Sequence, residues 1–470
     1  MEDEVAPKKL HYNSLLDIAR RLHTKQISPV ELTEYMLKRI AAKDKKLRSY
    51  ATITEELARK QANKAEQEIQ RGHIRGPLHG VPIAVKDLCY TRGIATAAGM
   101  AIHKDFNPRY NATVVKRFAD AGAVLLGKLQ MTEGAFAEHH PDVMAPVNPW
   151  NSAHWPGVSS SGSGVATASG LCFASLGSDT GGSIRFPSAA NGLTGLKPTW
   201  GRVSRYGIFD LAPTLDHIGP MCRNAADTGA VLNIIAGADP NDPTASSAPV
   251  PNYLAGLERG INGLRFGFDP QYNRHGVDRE MVQTIKTTLT TLKSMGADLR
   301  EVTFPNTDAV VESWPAHCGI ETAFAHRKTY PKQKEQYGSA LARLIELGLS
   351  LSATDYQRIL LVRHRFCGAV RALFNDIDIL VIPAQPTASP TWKQRDAARK
   401  NPKTASALIR FTAPFDFTGS PALTMQSGIT KTGMPVAIQF VGRHFEEDTL
   451  VRAGHAYQRE TDWHNQHPVL

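Results

Sequence analysis

The stretch Asp179-Thr180-Gly181-Gly182-Ser183-Ile184-Arg185-Phe186-Pro187 sets a hydroxyl behind two glycines and ahead of a proline that stops extended structure. Glycine lacks Cβ, so the backbone turns sharply and gathers consecutive N–H groups around a concavity, with Ser183 at its edge. An oxyanion hole beside a nucleophile is built in this way, and it points to attack on a carbonyl carbon. The second reactive group is Lys86, which closes the apolar run Val81-Pro82-Ile83-Ala84-Val85. Alone it reads as an ordinary strand-end lysine. The strand marks it, because a lysine carried into the interior is rare unless it is used.

Three other chemistries are weaker. Gly122-Ala123-Val124-Leu125-Leu126-Gly127-Lys128-Leu129 matches a phosphate loop until its last position, where Leu129 replaces the Ser or Thr that would ligate magnesium. Its four apolar residues between the glycines predict a strand. Seventeen histidines invite a Ser-His-Asp reading, but Ser183 lacks the G-x-S-x-G elbow and Gly162-Ser163-Gly164 has its glycines at the wrong spacing. The histidines, including His139 and His140, are expected at the surface or in supporting positions, with a distant histidine base left open. No metal-ligand spacing occurs, and no metal or organic cofactor is expected.

Upstream of the turn lies Trp155-Pro156-Gly157-Val158-Ser159-Ser160-Ser161-Gly162-Ser163-Gly164, which places Ser159 24 positions before Ser183 (183 − 159). Taken with the strand ending at Lys86, these motifs resemble the amidase signature family over residues 76–199, most densely over 156–198. The likeness resumes at Pro421-Ala422-Leu423 and Gly433-Met434-Pro435. Free-standing bacterial amidases, fatty acid amide hydrolase and the A subunit of glutamine-dependent tRNA amidotransferases share this pattern. The resemblance implies a Ser-cisSer-Lys triad: Lys86 the base, Ser159 the relay after a cis Val158–Ser159 bond, and Ser183 the nucleophile. It also implies an oxyanion hole from the N–H groups of Thr180, Gly181, Gly182 and Ser183, with Ser160, Asp179 and Arg185 in support. Val158 and Ser161 depart from the usual Gly-Gly-Ser-Ser-Gly-Gly-Ser, and Ser159 and Ser160 are kept.

The activity so implied is hydrolysis of a carboxylic amide, an aryl amide or a carbamate through an acyl-enzyme. The alternative within the family is the A subunit of a glutamine-dependent tRNA amidotransferase. Arg202-Val203-Ser204-Arg205-Tyr206-Gly207 resembles that protein, whereas Glu138-His139-His140-Pro141-Asp142 and Val158-Ser159-Ser160-Ser161 resemble free-standing amidases. A catalytically dead binding protein on the same scaffold is disfavoured by the three catalytic matches. Phe136, Met144, Trp314 and Ile320 are the candidate apolar walls for substrate. The partner expected is a small-molecule amide, with neither nucleic acid nor membrane; a homodimer is left open.

Positioning these groups calls for an α/β fold, a mixed, largely parallel sheet covered by helices on both faces. One domain over 1–470 is expected, with helices over 1–75, a catalytic core over 76–235 and a helical insertion over 305–375 capping the site. Leu15, Leu16, Ile18, Ala19 and Leu22 predict a first helix; Ser28-Pro29-Val30-Glu31 opens a second as N-cap, first-turn proline and capping-box glutamate, running toward Ala42. A third covers 55–69. Strands are predicted at Val81–Val85, 123–126, 264–268, 298–304 and 377–383, with helices over 113–121 and 278–295, and residues 170–176 are read as ending one helix and beginning another strand. The short strands alternate with helices, which argues for a buried sheet.

Hydrophobic residues at 42% and charged residues at 21% of 470 are globular averages, which excludes a disordered or fibrous chain. The net charge of +10 is modest for this length and contains no basic run, so it does not argue for nucleic acid. Lys43, Lys45, Lys46 and Arg48 are expected after the second helix as a solvated face. Five scattered cysteines, Cys89, Cys172, Cys222, Cys318 and Cys367, build neither a disulfide framework nor a zinc site. The acidic start, Met1-Glu2-Asp3-Glu4-Val5, has no apolar h-region and no stretch is long enough to span a membrane, so a cytoplasmic enzyme is expected.

Overall fold

Strand β2 (Pro82–Lys86), fully buried, lies between β3 (Val124–Leu129) and β4 (Ala174–Asp179) and pairs with both in parallel. The computed structural model describes residues 10–470, so the expectation drawn from Met1 to Val5 lies outside the described residues. A short antiparallel edge, β1 (Tyr50–Ile53), flanks β3. On the other side follow β6 (His217–Cys222), β5 (Thr194–Lys197), β10 (Ala422–Ile429), β11 (Pro435–Gly442), β9 (Ile379–Pro383), β7 (Arg265–Phe268) and β8 (Asp298–Glu301). The result is one 11-stranded sheet, β1-β3-β2-β4-β6-β5-β10-β11-β9-β7-β8, flanked by helices.

The fold is α/β with a mixed sheet, but "largely parallel" needs correcting. Parallel pairing is confined to two blocks, β3-β2-β4 and β9-β7-β8. Antiparallel ladders through β6, β5, β10 and β11 join them. The parallel blocks are the parts with helical crossovers, such as Thr113–Asp120 before β3 and Arg279–Ser294 before β8, and those crossovers are visible in local patterning.

Local signals set most helix ends. Ser14 caps Leu15–His23 by accepting from the Asp17 N–H at 3.0 Å, and Asp278 caps Arg279–Ser294. Ser28 caps Pro29–Leu47 by accepting from the N–H groups of Val30 and Glu31. The expected return bond from the Ser28 N–H to the Glu31 carboxylate does not form; the Ser28 hydroxyl donates instead to Glu66 of the helix Glu55–Gln70. The second helix passes Ala42 to Leu47 and stops where Arg48 turns left-handed at φ 58°, so Lys43, Lys45 and Lys46 lie inside it, not after it. The segment from 308 to 373 is helical, in the elements Asp308–Ala325, Tyr330–Gln333, Ser339–Ser350 and Ala353–Leu373. Among the described residues no helix is long and apolar enough to cross a membrane.

The lookalike phosphate loop is strand β3. Its Lys128, fully buried, is committed to Asp87 at 3.1 Å and to the Thr96 hydroxyl at 2.8 Å.

Candidate active site

Lys86 is the last residue of β2, and its amine is fully buried at the carboxyl end of the central strand of the parallel block β3-β2-β4. It reaches three hydroxyl oxygens: Ser159 Oγ at 2.6 Å, Ser178 Oγ at 2.8 Å and Ser160 Oγ at 2.9 Å. Burial, which disfavours the ammonium, pulls its pKa down to about 7 against the opposing charges of Asp179 and Asp216. Asp87, the next residue, faces away toward Lys128. The Val158–Ser159 peptide bond is cis. The Ser160 hydroxyl donates to the Ser178 carbonyl at 3.2 Å and accepts from the Ser178 N–H at 3.2 Å, which holds the 158–161 segment to β4.

Ser183 follows β4 on the turn before the helix Arg185–Asn191. From Ser159 to Thr199 it is the one residue that is not buried. Its side chain makes no hydrogen bond to Ser159 here; the two segments meet through the Ser160 N–H, which donates to the Ser183 carbonyl at 3.4 Å. The turn is clamped from beneath. Asp179 accepts from the N–H groups of Gly182 at 2.7 Å and Ile184 at 3.0 Å, and pairs with Arg185 at 2.8 Å. Arg185 also pairs with Asp416 at 2.7 Å and donates to the Thr412 carbonyl at 3.0 Å. Although burial alone would raise it, the Arg185 guanidinium holds the Asp179 carboxyl far below the usual carboxylate range.

The engaged Gly182 N–H corrects the expected oxyanion hole. It sits at φ 131° and points down to Asp179, so it is not available to substrate. The N–H groups of Thr180, Gly181 and Ser183 have no acceptor among the described residues. Thr180 is fixed by its hydroxyl on Asp216 at 2.6 Å and its carbonyl on Trp314 Nε1 at 2.8 Å. The Gly181 carbonyl accepts from the Thr412 hydroxyl at 2.6 Å.

A family model described as Amidase matches residues 31–451. The chain belongs to the amidase signature family. It is 44% identical over 468 residues to the Mycobacterium tuberculosis protein named "Putative amidase AmiD", covering 100% of this chain and 98% of that one. It is 38% identical to the A subunit of the glutamyl-tRNA(Gln) amidotransferase of Chloroflexus aggregans, over 98% and 99% of the two chains. The peptide amidase of Stenotrophomonas maltophilia superposes with a TM-score of 0.81 at 30% identity, covering 96% of this chain and 97% of that one. The protein is an amidase, a hydrolase acting on amide C–N bonds.

Of the four apolar residues expected to wall the site, Trp314 touches the Ser183 turn. Phe136 packs partly buried against both the main core and the small cluster that contains Met100, Tyr330 and Tyr337, and Ile320 packs partly buried against the main core. Met144 is 66% exposed, too open to form a wall. Among the described residues no histidine bonds to Lys86, Ser159 or Ser183. His139 meets Ser161 Oγ at 3.0 Å, and burial together with the Arg395 cation lowers it to about 3, so it stays neutral. Ser178, Asp216, Thr412 and Asp416 escape a reading of the sequence alone. Asp416 carries a signal, a lone carboxylate between Phe415 and Phe417; Ser178 has none beyond its place next to Asp179.

Proposed function

We propose that this amidase hydrolyses a small-molecule carboxylic amide, aryl amide or carbamate through an acyl-enzyme on Ser183. The observation that carries the reading is a partly exposed serine in an otherwise buried stretch, joined through the Ser160 N–H to the segment whose Ser159 is held by a buried lysine at 2.6 Å. A neutral amine has two N–H donors and one lone pair, so among three hydroxyl neighbours one must donate to it. The Ser160 proton is engaged on the Ser178 carbonyl, and Ser159 is the shortest of the remaining two. Ser159 therefore gives its proton to Lys86 and takes the one from Ser183 as Ser183 Oγ attacks the carbonyl carbon. The oxyanion is met by the N–H groups of Gly181 and Ser183, with Thr180 beside them. Collapse breaks the C–N bond as Ser159 passes a proton to the departing nitrogen and recovers one from Lys86. Water, deprotonated by the same relay, then cleaves the ester and frees the acid and Ser183.

A fluorophosphonate should label Ser183, and Ser183→Ala should abolish hydrolysis while keeping the parent melting temperature. Peptide mapping that finds the label on another serine rejects the assignment. The amidotransferase reading is favoured by the 38% likeness to the Chloroflexus aggregans protein and by residues 202–207. It requires glutamine to be cleaved and a second protein to copurify; cleavage of simple amides by the isolated chain decides for the free-standing enzyme.

A further inference from the structure

We infer that Trp314 is a positioning residue which aims the Gly181 N–H at the substrate oxyanion, an inference that rests on the acyl-enzyme reading above. In a trans peptide unit the carbonyl of one residue and the N–H of the next lie antiparallel in one plane, so holding either end orients the other. The Thr180–Gly181 unit is trans, the cis bond in this region being Val158–Ser159. Its carbonyl end is held by the buried Trp314 Nε1–H at 2.8 Å, which turns the Gly181 N–H to the opposite side. The next unit shows the same device with both ends occupied: Thr412 holds the Gly181 carbonyl at 2.6 Å, and the Gly182 N–H reaches Asp179 at 2.7 Å. On the Thr180–Gly181 unit the N–H end has no acceptor among the described residues, as a donor kept for substrate should.

The indole also explains why position 181 is glycine. A Cβ there would lie 2.5 Å from Trp314 Cζ2 and 2.8 Å from Cε2, and the φ of Gly181 lies outside the left-handed region. Alanine is thus barred by the tryptophan, not by the backbone. The helix carrying Trp314, Asp308–Ala325, is braced to the same turn by a second route. Its Glu321 accepts from the Thr214 N–H at 2.8 Å, and the loop 211–216 supplies Asp216 to the Thr180 hydroxyl.

The test is a double-mutant cycle on the full chain, with any amide it cleaves. Trp314→Phe keeps an aromatic ring and removes the N–H; it should lower kcat about 10- to 100-fold, short of the loss of a whole oxyanion donor, with KM changed by less than about twofold. Gly181→Ala should cost about tenfold or more in the parent but less than about twofold in a Trp314→Leu background, because the clash is gone. Multiplicative effects of Gly181→Ala and Trp314→Leu overturn the inference, as does a Trp314→Phe enzyme with raised KM and unchanged kcat, the mark of a substrate wall. If a variant melts low, the fluorophosphonate rate on its folded fraction replaces kcat and must show the same pattern. Labelling of a serine other than Ser183 in the parent sinks the acyl-enzyme reading itself; labelling at Ser183 with an additive cycle sinks this inference alone.

Discussion

The proposed mechanism requires Lys86 to act without its proton, and burial brings its pKa down to about 7 from 10.5. Its neutral fraction grows as pH rises through that value, so kcat/KM should rise with pH in a single step near 7 and level above it. Lys86→Ala should remove both the step and most of the activity. Lys86→Arg should fail too, because a guanidinium keeps its proton at any working pH; an active Lys86→Arg enzyme would reject the lysine base. Lys86 is legible in the sequence because an apolar strand points it inward. Ser178 is not, because its contact with Lys86 depends on the register between β2 and β4, with Val85 opposite Leu176, which no local pattern records.

At the scale of elements, the Ser183 turn is a short loop locked by the ion pairs of Arg185 with Asp179 and Asp416. Arg185→Met strands two buried carboxylates and should cost about 3–5 kcal/mol in denaturant unfolding. A loss under about 1 kcal/mol would mean that the backbone bonds of Asp179 hold the turn by themselves. The helices Asp308–Ala325 and Ser339–Ser350 cross at Gly319 and Gly348, where a Cβ on Gly348 would collide with the Gly319 carbonyl. Gly348→Val should therefore lower stability by about 1–3 kcal/mol and depress kcat, since the helix it displaces carries Trp314. Unchanged kcat at lowered stability would separate that crossing from catalysis. Helix starts at Ser28 and Asp278 are legible because caps are local chemistry, whereas β1 is not: it is four residues, Tyr50–Ile53, at the end of the sheet with β3 as its one strand partner among the described residues.

In the whole molecule, Lys197 is, like Lys86, a buried lysine brought to about 7 by burial, and its amine donates to the Ser420 carbonyl at 2.6 Å. Between pH 7 and 10.5 the unfolded chain binds more protons than the folded one, so stability is lost as pH falls through that window. Lys197→Met lacks this penalty, and its stability relative to the parent should be greater at pH 7 than at pH 10, by on the order of 2–4 kcal/mol. An equal difference at both pH values would mean that Lys197 keeps its charge in the fold. The parallel blocks are legible from alternating strands and helices. The antiparallel centre is not, because β10 and β11 pair with strands far away in sequence and alternation does not name its partner. The clamp on Arg185 crosses the same span, its Thr412 partner lying 227 residues downstream. At roughly 5–20 residues per second, a ribosome that has just made the Ser183 turn needs roughly 10–45 s more to make what locks it. On the proposed mechanism, from that point to the end of synthesis the nascent chain carries Ser183 without its finished cradle, and hydrolytic competence is expected only once the strands and clamp residues downstream have been made.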